Sequence, residues 1–404
     1  MAPSLFSPAK DGGVPTLILD GGMGTTLQSY PVAQQLDSNL WSSELLKTKE
    51  GRQTLEDLHM KWIEAGADIV ETCTYQSSLP LFLPSSGPYS PDLLSSSLSL
   101  MSSAIPLLTS LSSPFTALSL GPFGASLQPG QEYAGLYPPP FGPSPSISPS
   151  HIASGQEALD AVPLPLEEFT PSSSPSPEDY LSAWHLLRLR HFHSTSSEEF
   201  SKLSVLAFET VPLLVEATAI RRAMTVFRSE TNSTIPFYIA YVFPLVDKDS
   251  NQERIKFPDP SLSNLELDQQ TPLIIDATFS TSSSPSLVPA DGIGFNCTSP
   301  LHSHSLTKTL TSSYSSFTSS SPSPQTKPFF VLYPDGGAVY SVETRSWSHP
   351  LGLTDQKWAE IVAGAMGAAR EGDVWGGVVG GGCCKAGVRA IGELRKETEK
   401  RGWR

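Results

Sequence analysis

Three cysteines in the second half of the chain have the residue type and number to bind a metal ion. Cys297 ends the segment GIGFNC, and Cys383 and Cys384 end the segment VVGGGCC. Cysteine thiolates are common zinc ligands, and a zinc ion with three protein ligands keeps a fourth position for water or substrate. The count of three therefore predicts a catalytic metal site. The alternative is that these cysteines are small buried residues that follow a tight glycine turn.

The chemistry expected of such a site is the activation of sulfur. An amino-acid thiol with a pKa near 8.5 is mostly protonated at neutral pH, and coordination to a metal removes that limit. A sulfonium compound supplies a suitable electrophilic methyl group, because its positive charge is neutralised as the methyl leaves. Such a displacement needs in-line positioning and no general acid.

The remaining cysteine and the histidines fit a metal site less well. Four cysteines in 404 residues do not resemble a disulfide framework, so we expect reduced thiols. Cys73, in ETCTYQ, is interpreted as a small pocket residue. His302 and His304, in SPLHSHS, are interpreted as solvated side chains of a Ser-rich loop.

Two carboxylates are candidates for binding an ammonium group. Asp20 lies in LILDGGMGT beside Gly21 and Gly22, which allow a ligand to approach the backbone closely, and Glu209 ends LAFET. The glycine-rich segment lacks the Gly-Lys-Ser/Thr ending of a phosphate loop and the spacing of the dinucleotide fingerprint. A helix cap remains the structural alternative for Asp20.

Further polar residues follow other apolar segments. Glu71, Thr72 and Tyr75 are expected to line the same pocket, although Glu71 could equally be a buried hydrogen-bonding residue. The segment Tyr333–Asp335 is expected to shape the pocket beside the metal.

Short apolar segments alternate with helical patterns, which is typical of parallel strands joined by crossover helices. The predicted strands are Val14–Leu19, Ala67–Glu71, Phe115–Leu120, Leu203–Phe208, Ile235–Val242, Gly292–Asn296, Pro328–Tyr333 and Val374–Val379. The predicted helices are Gln53–Ala65, Asp179–His193, one that begins near Pro212, Asp355–Arg370 and Val388–Lys400.

Eight strands in this order predict an α/β fold, a single (β/α)8 TIM barrel over residues 1–404 whose active site lies at the carboxyl ends of the strands. A doubly wound sheet remains the alternative, because residues 244–290 show no clear helix. Three Ser/Pro-rich stretches, 84–103, 138–178 and 311–327, are predicted to be disordered insertions.

Charge and hydropathy exclude several classes of partner. The 26 basic and 40 acidic residues leave a net charge of −14, which disfavours nucleic acid. No uninterrupted apolar run of about 18 residues predicts a membrane span, and the first residues lack a secretory signal. We therefore expect a cytoplasmic monomer or small homo-oligomer.

Several motifs together resemble the homocysteine S-methyltransferases. They are LILDGGMGTTLQ, ADIVETCTYQ, SLGPFGASLQPGQEYAGLY, LAFETVPLLVEA, GFNCTSP, YPDGG and GGGCC, and they span nearly the whole chain. The resemblance implies a (β/α)8 barrel that binds zinc through Cys297, Cys383 and Cys384. It also implies that Asp20 and Glu209 contact the amino group of homocysteine.

The motifs are most similar to the branch that uses S-methylmethionine or S-adenosylmethionine. The expected function is thus zinc-dependent methyl transfer from a sulfonium donor to homocysteine, forming methionine. Cys73 stands where the family more often has Asn or Phe, and Asp335 where Asn is common, which leaves the choice of donor open. The alternatives are another thiol or selenol acceptor, a betaine-type donor, and a noncatalytic zinc scaffold.

Overall fold

The chain folds around eight parallel strands. The structure is a computed structural model that describes residues 5–6, 12–84, 86–111, 115–144, 156–170, 174–246, 254–281, 287–320, 326–341, 346–348 and 351–403. The strands are β1 (Thr16–Ile18), β2 (Ile69–Glu71), β3 (Phe115–Leu120), β4 (Val205–Val211), β5 (Phe237–Val242), β6 (Gly292–Asn296), β7 (Phe329–Tyr333) and β8 (Gly377–Gly380).

Helices connect the strands on the outside. The α-helices are α1 (Met23–Leu27), α2 (Lys49–Ala65), α3 (Leu79–Phe82), α4 (Pro91–Ser102), α5 (Ala104–Thr109), α6 (Gln156–Asp160), α7 (Pro177–Thr195), α8 (Ser197–Ser201), α9 (Leu214–Thr231), α10 (Leu267–Phe279), α11 (Ser303–Ser320), α12 (Asp355–Glu371) and α13 (Val388–Lys400). Short 3-10 helices span Ala33–Asp37, Trp41–Lys47, Phe123–Ser126, Leu166–Glu168, Pro260–Leu262 and Pro300–His302. Two antiparallel hairpins pair Leu245–Val246 with Arg254–Ile255 and Val339–Ser341 with Ser346–Ser348.

The sheet closes into a barrel. Its hydrogen-bonded order is β1-β8-β7-β6-β5-β4-β3-β2, and a parallel bridge between Leu19 and Ile69 joins the two ends. Closure confirms the predicted (β/α)8 barrel and excludes the doubly wound sheet. All eight carboxyl ends therefore meet at one rim.

Helix α2 illustrates how the sequence sets an element and its packing. The Thr48 side chain caps its first turn by accepting from the Gly51 amide, and Gly66 ends it in a left-handed conformation with φ 104°. Leu55, Leu58 and Trp62 form its buried face. The predicted start at Gln53 is four residues late, because the polar first turn carries no apolar periodicity.

The helix missing from the predicted pattern is α10, within residues 244–290. Its apolar residues cluster in its second half, and Pro272 lies inside it. Ile274, Ile275 and Phe279 are buried, so packing on the barrel stabilises a segment whose local pattern is weak.

The prediction of three disordered insertions is wrong for two of them, as far as they are described. Residues 91–102 form α4, which Ser90 caps and Pro91 opens, and residues 303–320 form α11. Leu306 and Leu310 of α11 are fully buried. Serine composition misled the prediction because a few apolar residues at helical spacing are enough to anchor a helix on the barrel. The third insertion includes α6, while its residues 145–155 and 171–173 lie outside the described residues.

No helix in the described part of the chain is long and apolar enough to cross a lipid bilayer.

Candidate metal centre and substrate cavity

The three predicted cysteines meet at the carboxyl end of the barrel. Cys297 directly follows β6, and Cys383 and Cys384 follow β8, with β7 between these strands. Their sulfur atoms all lie within 4.8 Å of one another. Tetrahedral zinc with Zn–S bonds of about 2.3 Å separates its sulfurs by about 3.8 Å, so small side-chain movements would fit the trio to the ion. Among the described residues the cluster contains no fourth ligand, as expected of an open site.

Two of these sulfurs are in direct contact. The Cα atoms of Cys297 and Cys383 are 5.5 Å apart, a separation that also suits a disulfide, whereas Cys384 is a free thiol. Strand ends close enough to share a metal are also close enough to pair two sulfurs. The expectation of reduced thiols stays a prediction for this pair. Disulfide formation and metal binding exclude each other, because the ligand is the thiolate.

Burial raises the pKa of the third thiol, that of Cys384. Desolvation, followed by the charge of Asp335, raises the pKa of the Cys384 thiol to about 12, against a hydrogen bond from Tyr133 that lowers it. A thiolate at this position therefore needs a nearby cation.

The glycines around the cysteines serve close packing. A Cβ on Gly22 would clash with the Cys383 carbonyl oxygen, and one on Gly381 would lie 2.6 Å from the Leu19 Cβ. A Cβ on Gly382 would lie 2.4 Å from the Ala386 Cβ, and the left-handed backbone conformation after these glycines occurs at Lys385, with φ 64°. Gly21 and Gly22 line the cavity, and the space that their missing side chains leave is filled by protein atoms.

Asn296 is a supporting residue that the sequence analysis missed. Its amide nitrogen lies 3.5 Å from the Cys297 sulfur and 3.9 Å from the Cys383 sulfur. The same side chain donates to the Thr210 hydroxyl and accepts from the Thr210 amide, each at 2.7 Å. The sequence signal that could have identified Asn296 is its position directly before Cys297 in GFNC. Asn296 thereby links the metal-side cysteines to the end of β4.

We expect Asn296→Ala to weaken zinc binding about tenfold to a hundredfold, the range found when groups that orient metal ligands are removed. Competition with a chromogenic chelator measures the affinity. The exposed Asn264, replaced by Ala, is the matched control. Equal zinc affinity in Asn296→Ala and wild type would show that the amide does not support the cysteines.

A second group of side chains lies at the inner end of the cavity. Asp20 and Glu209 are 1% and 4% exposed, and Glu71 is half-buried. Asp20 Oδ2 accepts the Glu71 amide at 2.9 Å, while Asp20 Oδ1 is buried without a hydrogen-bond partner. Glu209 accepts from the Ser119 hydroxyl, and Glu71 accepts from the Tyr238 hydroxyl at 3.2 Å.

Burial and mutual repulsion make these three carboxylates hard to ionise. Desolvation, with the Glu209 charge adding to it, raises the pKa of Asp20 and of Glu71 well above their usual values. Desolvation raises the pKa of Glu209 to about 7, against hydrogen bonds from Ser119 and Tyr333 that lower it. A positively charged ligand would relieve this repulsion, so the group suits an ammonium ion.

The cysteines and the carboxylates line one cavity of about 410 Å³, a size typical of small-molecule sites. Thr72, Tyr75 and Tyr333 line it as expected, although the Thr72 hydroxyl also accepts the Ser119 amide at 3.1 Å. The lining residues that the sequence analysis did not select include Trp41, Gln76, Glu132 and Tyr133. The segment PGQEYAGLY contained a signal for the last two.

The remaining predicted residues lie mostly outside the metal cluster. Cys73 is 2% exposed and lines the cavity, and burial raises the pKa of its thiol to about 12, which fits the predicted pocket residue. His304 is exposed and His302 half-buried, and neither joins the cysteines. Asp335 accepts the Gly337 amide at 2.7 Å and acts on the site through its charge near Cys384.

Comparisons with known proteins agree on one family. Residues 17–398 match the family model described as homocysteine S-methyltransferase. Homocysteine S-methyltransferase YbgG of Bacillus subtilis (strain 168) is 26% identical over 394 residues, which cover 94% of this chain and 93% of that protein. Homocysteine S-methyltransferase 2 of Zea mays is 23% identical over 398 residues, covering 95% and 90%.

A solved structure shares the fold. The metallated form of the homocysteine methyltransferase MmuM from Escherichia coli aligns with a TM-score of 0.54 and 17% identity, covering 95% of this chain and 96% of that chain. The oxidized form of the same protein aligns with the same TM-score.

Proposed function

This chain belongs to the homocysteine S-methyltransferase family, and from that premise we propose that it methylates the sulfur of homocysteine to give methionine, with a sulfonium compound as donor. The proposed donors are S-methylmethionine and S-adenosylmethionine. One observation carries the proposal: three cysteine sulfurs within 4.8 Å of one another share a cavity with three carboxylates, of which Asp20 and Glu209 are buried. The first group suits a metal that binds a thiol, and the second suits an ammonium group.

The proposed binding mode uses both ends of the cavity. The unpartnered Oδ1 of Asp20 and the Glu209 carboxylate would bind the ammonium group of homocysteine. Cys297, Cys383 and Cys384, when reduced, would hold zinc. The bound zinc would stabilise the thiolate form of the substrate at neutral pH.

The transfer is a displacement at carbon. The thiol proton leaves to solvent, a sulfur electron pair forms the new S–CH3 bond, and the electron pair of the breaking bond stays on the donor sulfur. That sulfur becomes a neutral thioether, so no proton has to be delivered to the leaving group. The residues of the chain contribute chiefly by orienting the two reactants.

The decisive experiment incubates reduced, zinc-loaded protein with carbon-labelled homocysteine and, separately, unlabelled S-methylmethionine, S-adenosylmethionine or betaine, so that labelled methionine can come only from the homocysteine. Labelled methionine should form with at least one of the two sulfonium donors. Label in methionine from betaine alone would overturn the sulfonium assignment, and no labelled methionine from any donor would overturn the proposed function.

The carboxylate group also predicts a pH dependence. Glu209, with a pKa of about 7, loses its negative charge as the pH falls, and with it the attraction for an ammonium group. Its ionised fraction is about 0.9 at pH 8 and about 0.1 at pH 6, so the methionine Kd should rise about tenfold between them. Methionine is the better ligand for this test because it has no thiol to titrate.

Calorimetry of methionine binding from pH 6 to 8 measures this effect. The Glu209→Gln variant should bind methionine weakly at both ends of the range, with a flatter profile. A wild-type Kd that stays constant over the range would contradict the assignment of Glu209.

A further inference from the structure

Glu132 is a further carboxylate that lines the cavity. It lies in the loop after β3, and its Oε2 atom is buried without a hydrogen-bond partner. A Cβ on Gly130 would clash with that oxygen, so the glycine leaves room for the carboxylate in its observed position. Buried carboxylate oxygens normally accept hydrogen bonds or pair with a cation. The Oε2 atom of Glu132 can therefore still accept a hydrogen bond from a ligand or pair with a cationic one.

The loop that carries Glu132 is fixed to the barrel. Glu216 of α9 accepts the Phe123 amide at 2.7 Å and the Tyr137 hydroxyl at 2.5 Å. Within the loop, the Gln131 amide donates to the Gly124 carbonyl at 2.9 Å. These bonds lie on both sides of residue 132 along the chain, so its backbone is held in place before any ligand arrives.

Glu132 lines the cavity together with Cys384 and the aromatic rings of Tyr75 and Tyr133. Its sequence neighbour Tyr133 hydrogen-bonds to the Cys384 thiol, whereas Asp20 accepts the Glu71 amide. The Glu132 carboxylate thus shares the metal-side part of the cavity with two aromatic rings, which also attract cations.

The described lining of the cavity offers carboxylates but no cationic side chain. Among the described lining residues there is no Lys, Arg or His, and the carboxylates are Asp20, Asp37, Glu71, Glu132 and Glu209. Burial raises the pKa of Glu132 to about 7, so a cation beside it would favour its ionised form. The single ammonium group of homocysteine, which we assign to Asp20 and Glu209, leaves this carboxylate without a counter-charge.

We propose that Glu132 is a specificity-determining residue that selects a cationic methyl donor by facing its positively charged sulfur. This inference rests on the proposed function and adds the residue that recognises the second substrate. The donor sulfur loses its charge when the methyl leaves, so Glu132 attracts the donor and not the thioether product. Its removal should therefore raise the donor KM more than it lowers kcat.

The test compares wild type with Glu132→Gln, which keeps the size of the side chain and removes its charge. At saturating homocysteine, the KM for the sulfonium donor should rise about tenfold to a hundredfold. The homocysteine KM and the zinc content should stay within about twofold of wild type, because the substitution removes only the charge that faces the donor. Glu132→Asp should recover part of the loss, and the exposed Glu167→Gln is the control.

A second measurement needs no turnover. Calorimetry with trimethylsulfonium, a cation without amino or carboxyl groups, should show binding to wild type that weakens in Glu132→Gln. If the donor KM rises while trimethylsulfonium binding is unchanged, Glu132 recognises the donor ammonium and the proposal is wrong. An unchanged donor KM in an active Glu132→Gln enzyme also overturns it, and leaves the proposed function intact. Absence of turnover in wild type counts against the proposed function instead.

Discussion

Replacement of Cys384 by alanine should abolish zinc binding at stoichiometric metal and reduce methionine formation at least about a thousandfold. The expectation follows from the open three-sulfur site, in which each thiolate is one of only three candidate protein ligands among the described residues. A catalytic metal contributes several kcal/mol of stabilisation, and each 1.36 kcal/mol corresponds to a factor of ten in rate. Zinc is measured by elemental analysis after dialysis under reducing conditions, and activity from the label in methionine.

Cys73→Ala is the matched control for this experiment. Cys73 is also a buried thiol on the cavity wall, and it lies outside the three-sulfur cluster. This variant should keep its zinc and most of its activity. If Cys384→Ala keeps full zinc and activity, or if Cys73→Ala loses both while still folded, the assignment of the metal ligands is wrong.

The second large effect is expected at the ammonium end of the cavity. Asp20→Asn and Glu209→Gln should each raise the homocysteine KM about tenfold to a hundredfold, because a hydrogen bond to a charged group contributes about 1.5–3 kcal/mol. Asn and Gln preserve the shape of each side chain and remove its charge. Steady-state kinetics at saturating donor measure the change.

The zinc content separates this effect from a general disruption of the site. Both variants should bind zinc as wild type does, because neither carboxylate belongs to the sulfur cluster. The exposed Glu167→Gln should leave the KM unchanged. A homocysteine KM that stays at the wild-type value in both variants would remove these carboxylates from substrate binding.

The barrel itself was predictable because its signals are local. Buried parallel strands are short continuous apolar runs, as in LAFETV of β4, where every residue is buried. Alternation of such runs with amphipathic helices specifies the fold class. The same reasoning failed for α4 and α11, because their high serine content outweighed the few apolar residues at helical spacing that pack on the barrel.

The candidate metal ligands were also evident from the sequence, since cysteines that follow strands of a barrel must lie on the same rim. Asp20 and Glu209 were selected for the same reason. Asn296 and Glu132 were not, because their roles depend on contacts across the rim. Asn296 meets Thr210 from another strand, and the position of Glu132 depends on how Glu216 anchors its loop.

The sequence alone thus determined which chemical groups stand at the ends of which strands. Only the tertiary structure decided that the sulfurs of Cys297 and Cys383 are in direct contact, and that Asp20, Glu71, Glu209 and Glu132 line the same cavity. The physical reason is that pairing and pKa depend on distances of a few ångström and on burial. Both are set by the packing of loops from different parts of the chain.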